Sequence, residues 1–534
     1  MADVDCFIIG HNEVNANIQK QIIRLSYGEE SETYKERVKY NLAQIQFGKK
    51  VYNPSQLLNH LFRTEIPREN YQDIDVFDEV FSLTIAYLGT YLHRRGLSFD
   101  YINSFNRYKG ELITKLKENT VLSVAITTPY YVFPFPILEI IPLIKKYSKE
   151  TKIIVGGPYI ASMVRTMQPD ELQKLFNSIG ADVYVNSAEG EQALYNIVCA
   201  IKNGDSFENI KNIYFKRENE YEATPFETEE NCLDENYVDW GLFTDKMRTN
   251  VNIRSTVSCP YSCTFCVFPK LAGKYRQSSL ETLEKELDSL KSTGKVTGFC
   301  IIDDTLNVSS ERFLSFLHLL KRKEYGFKWS SFLRCQSITR EMAALMKETG
   351  CKIVFCGIES GSQKILDIMN KKARVEDYKR GMEILNEYGI MSTASLIVGF
   401  PGETYETFME TFNFIEETKP TFFQERLWAY DKKSPIHEQR DLYNLTGADY
   451  HWAHASMDSN TAEELGNKMF FEIKNSIHVT EYPLVFNMLN RDIPPNQIIS
   501  FFKNFNEGVK IGLLNPEKKE IDKELMDKLV NSFQ

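Results

Sequence analysis

The stretch Val251-Asn252-Ile253-Arg254-Ser255-Thr256-Val257-Ser258-Cys259-Pro260-Tyr261-Ser262-Cys263-Thr264-Phe265-Cys266 joins an apolar run, 251–257, to three cysteines spaced C-x3-C-x2-C. The run reads as a buried strand and the cysteines as the loop that leaves it. Thiolates are the ligands of iron–sulfur clusters, and a [4Fe–4S] cube held by only three of them keeps one iron open for a small molecule. Structural zinc wants four closed ligands, and neither a second C-x2-C knuckle nor a nearby histidine follows Cys266. Three cysteines packed merely as small apolar residues are the remaining alternative.

Downstream, six strand-like runs (251–257, 298–303, 328–334, 352–358, 391–398 and 422–428) are interleaved with helical patterns at 279–293, 309–324, 339–348, 361–369, 376–388 and 404–418. Six β/α units are too few for a closed eight-fold barrel and predict an open, partial one over residues 251–430, with its chemistry at the carboxyl ends of the strands. The cysteine loop sits at the first such end. At the second stand Asp303, Asp304 and Asn307, where adjacent carboxylates would repel unless they bind cations or hydroxyls, or cap a helix. Arg334 follows the third strand and suits a carboxylate or a structural ion pair. Gly357-Ile358-Glu359-Ser360-Gly361 and Val398-Gly399-Phe400-Pro401-Gly402-Glu403 follow the next two, Glu403 being also a natural acid for a helix first turn.

Upstream, residues 1–217 alternate strand and helix around a long polar insertion, about 12–75. Strands near 4–9, 99–102, 121–127, 152–155 and 182–185 are separated by helical patterns at 77–94, 107–117, 136–148, 159–176 and 190–203. This predicts a doubly wound parallel sheet of the Rossmann-like type. Its ligand would lie at the strand ends, at Thr127, Thr128, Gly156, Gly157, Glu189 and Gly190, although strand-to-helix turns need glycine in any case. Residues 218–250 are acid-rich and read as a linker. Residues 431–534 read as a helical C-terminal domain, entered through Tyr450-His451-Trp452-Ala453-His454. Those histidines either pack at a domain junction or face a substrate from a lid.

A chain of 534 residues predicts more than one domain. A net charge of −10 argues against nucleic acid as a partner, and the lack of an 18-residue apolar run argues against a membrane span. The start Met-Ala-Asp-Val-Asp lacks the basic and apolar regions of a signal peptide, so the expected location is cytoplasmic. Apart from the triplet, the ten cysteines are scattered, which is no disulfide framework and suits a reducing compartment.

The C-x3-C-x2-C loop with Phe265 before its last cysteine resembles the signature of radical S-adenosylmethionine (SAM) enzymes. The resemblance implies that Cys259, Cys263 and Cys266 hold a [4Fe–4S] cluster whose open iron binds SAM, with Phe265 against the adenine. It further implies that Arg334, Glu359, Ser360 and Gly399 surround that cofactor. The succession of Thr127-Thr128, Val155-Gly156-Gly157-Pro158 and Ser187-Ala188-Glu189-Gly190-Glu191 upstream is similar to a cobalamin-binding domain. The D-x-H-x-x-G loop of many cobalamin proteins is absent, and only Gly10-His11-Asn12 follows the first strand. The resemblance therefore implies a cobalt whose lower position is not held by histidine.

Together with the opening VDCFIIG and the pattern W-x-H-x-x-M-D at Trp452 to Asp458, the chain resembles the cobalamin-dependent radical SAM branch that includes the phosphinothricin P-methyltransferases. This implies transfer of a methyl group from SAM, by way of methylcobalamin, to an unactivated carbon or a phosphinate phosphorus. The substrate would be a natural-product small molecule or a peptide, free or bound to a carrier protein, met by Asp303, Asp304, Asn307, Tyr430 and His454. Flavodoxin or ferredoxin would be the reductant. Non-methylating cobalamin chemistry, cyclisation or ring contraction, shares the same motifs. A methylthiotransferase would need a second cysteine triplet in the N-terminal domain, 1–217, where only Cys6 and Cys199 stand. A cobalamin or SAM sensor would form no 5′-deoxyadenosine.

Overall fold

A computed structural model describes residues 3–534 except 13–43, 49, 70, 75–79, 130, 132, 188 and 516–519. The chain forms two compact units, one from residues 1–15, 80–252 and 277–296, the other from 16–79, 253–276 and 297–534.

The first unit is built on β1 (Val4–His11), β2 (Phe99–Ser104), β3 (Val121–Thr127), β4 (Lys152–Gly156), β5 (Val183–Val185), β6 (Ile213–Arg217) and β7 (Glu220–Ala223), in the spatial order β7-β6-β5-β4-β3-β1-β2. β1 is buried at every position, as a central strand covered on both faces must be. The five strands from β1 to β5 run parallel, and β6 and β7 add an antiparallel hairpin. The order 2-1-3-4-5 is flavodoxin-like, so the direction of winding reverses between β1 and β3, where such sheets leave a crevice. The single helix expected over 159–176 is two, Pro158–Thr166 and Pro169–Ile179, because Pro169 cannot continue the first and starts the second.

Two expected boundaries fall differently. The first domain is expected to end at residue 217, but Arg217 is the last residue of β6 and pairs with Glu220 of β7, so that boundary would cut the hairpin. The segment read as a linker contains Trp240 and Phe243, both fully buried in the first unit, with the Trp240 indole donating to Glu286 Oε1 at 3.2 Å. Acid-rich composition around Glu227 to Glu235 hid these two apolar anchors.

The second unit carries β8 (Gly298–Ile301), β9 (Lys328–Leu333), β10 (Cys351–Glu359), β11 (Met391–Val398), β12 (Phe422–Leu427) and β13 (Ile477–His478), each parallel to the next in chain order. Helices 310–323, 340–348, 363–368, 375–387 and 405–418 connect them, the singly wound pattern of a β/α barrel segment. Ile253 continues this set, for its carbonyl accepts from the Ile302 amide at 3.0 Å.

The insertion read at 12–75 lies outside the described residues at 13–43, 49, 70 and 75. Its described part, a hairpin at 45–52 and a helix from Pro54, packs into the second unit instead. Leu57, Leu58, Leu61 and Phe62 share an apolar core with Phe501, Phe505 and Phe533 of the C-terminal helices. Tyr482 of the same core packs edge-on against Phe355, 5.1 Å between ring centres. The C-terminal region is mainly helical, at 459–472, 482–490, 495–514 and 523–531, and includes a three-stranded antiparallel ribbon, 446–458, which contains the His451–His454 segment. Among the described residues no helix is long and apolar enough to cross a membrane.

Candidate functional site

The cysteine loop is anchored at its root by Asp303. One carboxylate oxygen accepts from the Ser255 and Thr256 amides at 2.7 and 2.9 Å, and the other from the Ser255 hydroxyl at 2.5 Å. Burial raises the Asp303 carboxyl above its usual range, against the pull of these donors. Both oxygens are thus engaged within the loop, one by two backbone amides and the other by a side-chain hydroxyl, and the residue anchors the loop where a substrate contact was expected. Partial burial first, and the neighbouring Asp303 second, push the Asp304 carboxyl up to about 6. Just before Cys259, Ser258 adopts φ of 69°, a left-handed conformation that costs a non-glycine residue about 1–2 kcal/mol. Such strain persists where the surroundings impose it, as the anchoring by Asp303 does.

Further along, the loop is stitched to the turn after helix 363–368. The Thr264 amide donates to the Met369 carbonyl and its hydroxyl to that of Ile368, both at 2.9 Å, and the Asn370 amide group donates to the Ser262 carbonyl at 2.9 Å. Burial raises the Cys263 and Cys266 thiols, Lys371 and Arg334 pull Cys263 down, and the field of Cys259 reaches both. Among the described residues no three His, Cys, Asp or Glu side chains close around a metal position. The donor set nevertheless fits a three-thiolate cluster in chemistry, with two cations beside Cys263 that favour its thiolate.

Arg334 and Glu359 stand at neighbouring strand ends. The Arg334 guanidinium lies 3.8 Å over the Tyr261 ring, inside the cysteine loop, and donates through Nη2 to the Lys371 carbonyl. Its Nε is buried with no hydrogen-bond partner among the described residues. Lys371 reaches Glu359 Oε1 at 2.8 Å, a buried ion pair. Glu359 has φ of 66°, and a Cβ at Gly357 would stand 2.6 Å from its carboxylate, so a larger residue there would displace the ion pair. Asn307 clamps the Arg334 backbone on both sides, donating to its carbonyl at 2.8 Å and accepting from its amide at 2.9 Å. Ser360 bonds Thr411 at 3.0 Å. Asn307 and Ser360 therefore shape the site without pointing free groups into it.

Gly399 is held on both peptide faces. Its amide donates to Glu403 Oε2 at 2.5 Å, and its carbonyl is 3.3 Å from His454 Nε2, which makes Nε2 the protonated nitrogen. With φ of 86° and a would-be Cβ 2.5 Å from the Trp452 ring, this position admits only glycine. An aromatic row extends from here: Phe265 meets Phe400 edge-on at 6.4 Å, Phe400 meets Trp428 at 5.5 Å, and Trp428 meets Trp452 at 5.1 Å and Tyr430 at 5.3 Å. The Tyr430 hydroxyl is bound to His437 Nδ1 at 2.6 Å. His454 and Tyr430, expected to meet substrate, have their polar atoms engaged within the protein. Burial pushes Glu403 up to about 8 and His454 down to about 4.

These shifts have a defined sign. Native Glu403 keeps its proton where an unfolded glutamate, ordinarily at 4.5, has lost it, so its contribution to stability is full below about 4.5 and falls as pH rises towards 8. Glu403→Gln removes that decline. Denaturation midpoints at pH 5 and pH 8 should lie closer together in the variant than in the wild type, and an unchanged difference would disprove the assignment.

In the first unit the expected residues do gather at adjacent strand ends, but mostly to hold the turns. Thr127 donates to the Gly10 and Ile9 carbonyls at 2.6 and 3.0 Å, and Thr128 to that of Gly156 at 2.9 Å. Gly157, at φ of 116°, would place a Cβ 2.8 Å from the Thr128 hydroxyl. Glu189 accepts from the Asn231 amide at 2.8 Å, and the Gly190 amide donates to Glu191 at 2.9 Å. At the reversal point, at the end of β1, His11 is buried, which pushes its imidazole down to about 4, and its ring lies 6.1 Å from that of Tyr131. The Tyr131 hydroxyl is buried there without a partner among the described residues. Tyr131 in the first unit, and Tyr261, Lys371 and Trp428 in the second, are not marked by residue type in the sequence, and only the fold of each unit brings them to these strand ends.

Residues 253–415 match the Radical SAM superfamily model. The anaerobic magnesium-protoporphyrin IX monomethyl ester cyclase of Rubrivivax gelatinosus is 26% identical over 323 residues, 58% of this chain and 56% of that protein, so the match spans little more than half of the relative. The radical SAM methyltransferase TsrM from Kitasatospora setae, solved with cobalamin and a [4Fe–4S] cluster bound, superimposes with a TM-score of 0.54 and 20% identity over 67% of this chain and 75% of its own. The cobalamin-dependent SAM radical enzyme OxsB, with aqua-cobalamin bound, gives 0.58 at 16% identity, over 85% and 73%. The three-thiol loop, the strand ends that frame it and these likenesses agree: the chain carries a radical SAM domain within the fold of the cobalamin-dependent radical SAM enzymes.

Proposed function

We propose that this protein is a cobalamin-dependent radical SAM methyltransferase acting on an unactivated carbon, or a phosphinate phosphorus, of a small-molecule or peptide substrate. The observation that carries the reading is the cysteine loop pinned by Asp303 and by Met369 with a buried cation and a buried carboxylate at the next strand ends. Cys259, Cys263 and Cys266 would hold the cluster, and the strand ends of the first unit the corrinoid. When bound, the cluster supplies the electron that cleaves SAM and cobalamin supplies a methyl carrier.

The chain's own residues bind and orient. Arg334, with its Nε unengaged, suits the carboxylate of SAM, a charge-assisted contact. Glu359, set in place by Lys371, suits its amino group or ribose. Phe265 and the Gly399–Phe400 strand end offer an apolar, edge-lined wall for a purine. Tyr261 under Arg334 and the row from Phe400 to Trp452 narrow the way for water, which a radical reaction must exclude.

The test uses anaerobically reconstituted protein, a reductant and methyl-labelled SAM. 5′-Deoxyadenosine should form and the label should enter a protein-bound corrinoid. Protein that retains no corrinoid, or leaves it unlabelled, contradicts the methyltransferase reading. The likeness to a cyclase favours a second reading, cobalamin-assisted ring formation or rearrangement, in which 5′-deoxyadenosine forms and the product gains no methylene.

A further inference from the structure

In the second unit the two faces of the barrel sheet are covered unequally. Side chains alternate along each strand, which assigns them to an outer and an inner face. The outer face lies under the connecting helices, as where Trp329 meets Phe316 with 6.0 Å between ring centres, and Leu333, Cys356, Leu396 and Glu425 on that face are buried. The inner face is sealed at its lower end, where Ile353, Met391 and Phe422 join the core of the C-terminal helices and the Tyr482 ring lies 6.1 Å from that of Phe332. Towards the carboxyl ends of the strands it opens. Ile302 is 36% exposed, Phe332, Phe355, Ser395 and Ile397 are half-buried, and Arg426 is exposed. Barrel interiors are ordinarily packed in layers, so an inner face less covered than the outer one borders a chamber, here with an aromatic floor and aliphatic walls.

Strand register sets the heights. Phe332 pairs with Phe355, Phe355 with Thr393 and Thr393 with Phe422, which makes the floor one layer. Arg426 lies further along β12 than Phe422 and stands about 13 Å above that layer, at about 3.3 Å per residue. Through the pairs Glu359–Leu396 and Leu396–Glu425 it comes close to the level of Glu359, two strands or about 10 Å along the sheet. The ionisable groups nearer the cysteine loop offset one another, Arg334 and Lys371 against Glu359 and Asp304. Glu425, next to Arg426 in sequence, faces outward and engages His478 at 3.1 Å. Among the described residues the inner faces of β11 and β12 carry no acid, and Arg426 pairs in register with Ile397.

We propose that this chamber receives the substrate and that Arg426 is the specificity-determining residue, binding an oxyanion, carboxylate or phosphinate, of a small molecule whose apolar body lies on Phe332 and Phe355. The inference rests on the methyltransferase reading above and narrows it to acidic substrates. A guanidinium presents paired N–H donors to such an oxyanion, a charge-assisted contact that a neutral amide cannot match.

The test titrates anaerobically reconstituted protein, with SAM present, with 3-phenylpropionate, 2-phenylethylphosphinate and the neutral 3-phenylpropanamide, followed by calorimetry. At least one acid should bind the wild type about 10-fold or more tighter than the amide, the range of a hydrogen bond to a charged group. Arg426→Gln should bring that acid to within about twofold of the amide, and Arg426→Lys should keep part of the preference. The acid that loses more in Arg426→Gln tells carboxylate from phosphinate. Ile302→Trp, at an exposed position, should weaken acid and amide alike because it narrows the chamber without removing a charge. Acids bound no better than the amide, a preference that survives Arg426→Gln, or an amide affinity indifferent to Ile302→Trp overturns the proposal. So does a loss of SAM affinity in Arg426→Gln equal to that of the acid, which would assign the residue to the cofactor. Binding is read without reduction, so failure of the radical SAM reading shows separately, as a reduced wild type that forms no 5′-deoxyadenosine, and it takes the substrate role of Arg426 with it.

Discussion

Cys263→Ala is expected to leave a folded protein that retains less than a hundredth of the wild-type 5′-deoxyadenosine formation. Cys263 is the most enclosed of the three thiols and the one on which both nearby cations, Lys371 and Arg334, act. Partners that merely orient a metal ligand are worth about 10- to 100-fold in affinity or activity, so removal of a ligand itself must cost more than about 100-fold. The loop's own hydrogen bonds run through Asp303, Ser255, Thr256 and Thr264 and do not involve the thiol, which is why the fold should survive. Iron content, the visible absorbance of the reconstituted protein and circular dichroism check the three parts. Full iron and full turnover in the variant would remove the cysteine loop from the mechanism.

Lys371→Met should destabilise the second unit by about 3–5 kcal/mol, the usual consequence of leaving one member of a buried ion pair alone. Glu359 would then be a buried carboxylate with strained backbone and no counterion. The Arg334 contact to the Lys371 carbonyl is made by backbone and should persist. Adding Glu359→Gln should return most of the lost stability, since the uncompensated charge disappears with it. Chemical denaturation of both variants tests this. Equal losses in the single and double variants would show that Lys371 contributes by packing instead of charge. Because Lys371 also lowers the Cys263 thiol, the single variant should take up iron more slowly at neutral pH.

Much of the architecture was legible in the chain because strand and helix periodicities are local. The runs at 298–303, 328–334, 391–398 and 422–428 become β8, β9, β11 and β12 with small changes at their ends. The parallel character of both sheets followed from the alternation of strands and helices. The helix at 54–60 was missed because its apolar face, Leu57, Leu58 and Leu61, is embedded in polar sequence, and it finds its partners among phenylalanines more than 400 residues away. Trp240 and Phe243 were missed for a similar reason, surrounded as they are by acids.

The candidate site divides along the same line. Three cysteines at fixed spacing, a glycine before a buried carboxylate and a strand-end arginine announce themselves, because each is a residue type that its position needs. Whether a polar residue at a strand end faces a ligand or its own backbone is another matter. Asp303, Asn307, Ser360, Tyr430 and His454 were equally good candidates on paper, and each proves to satisfy a neighbour. Sequence alone determined that a thiolate loop ends a β/α strand and that a second parallel sheet precedes it, since ligand type and periodicity are properties of short stretches. Only the tertiary structure decided which polar side chains hold that loop and which stand free, because a hydrogen bond depends on where distant strands place donor and acceptor within about 3 Å of each other.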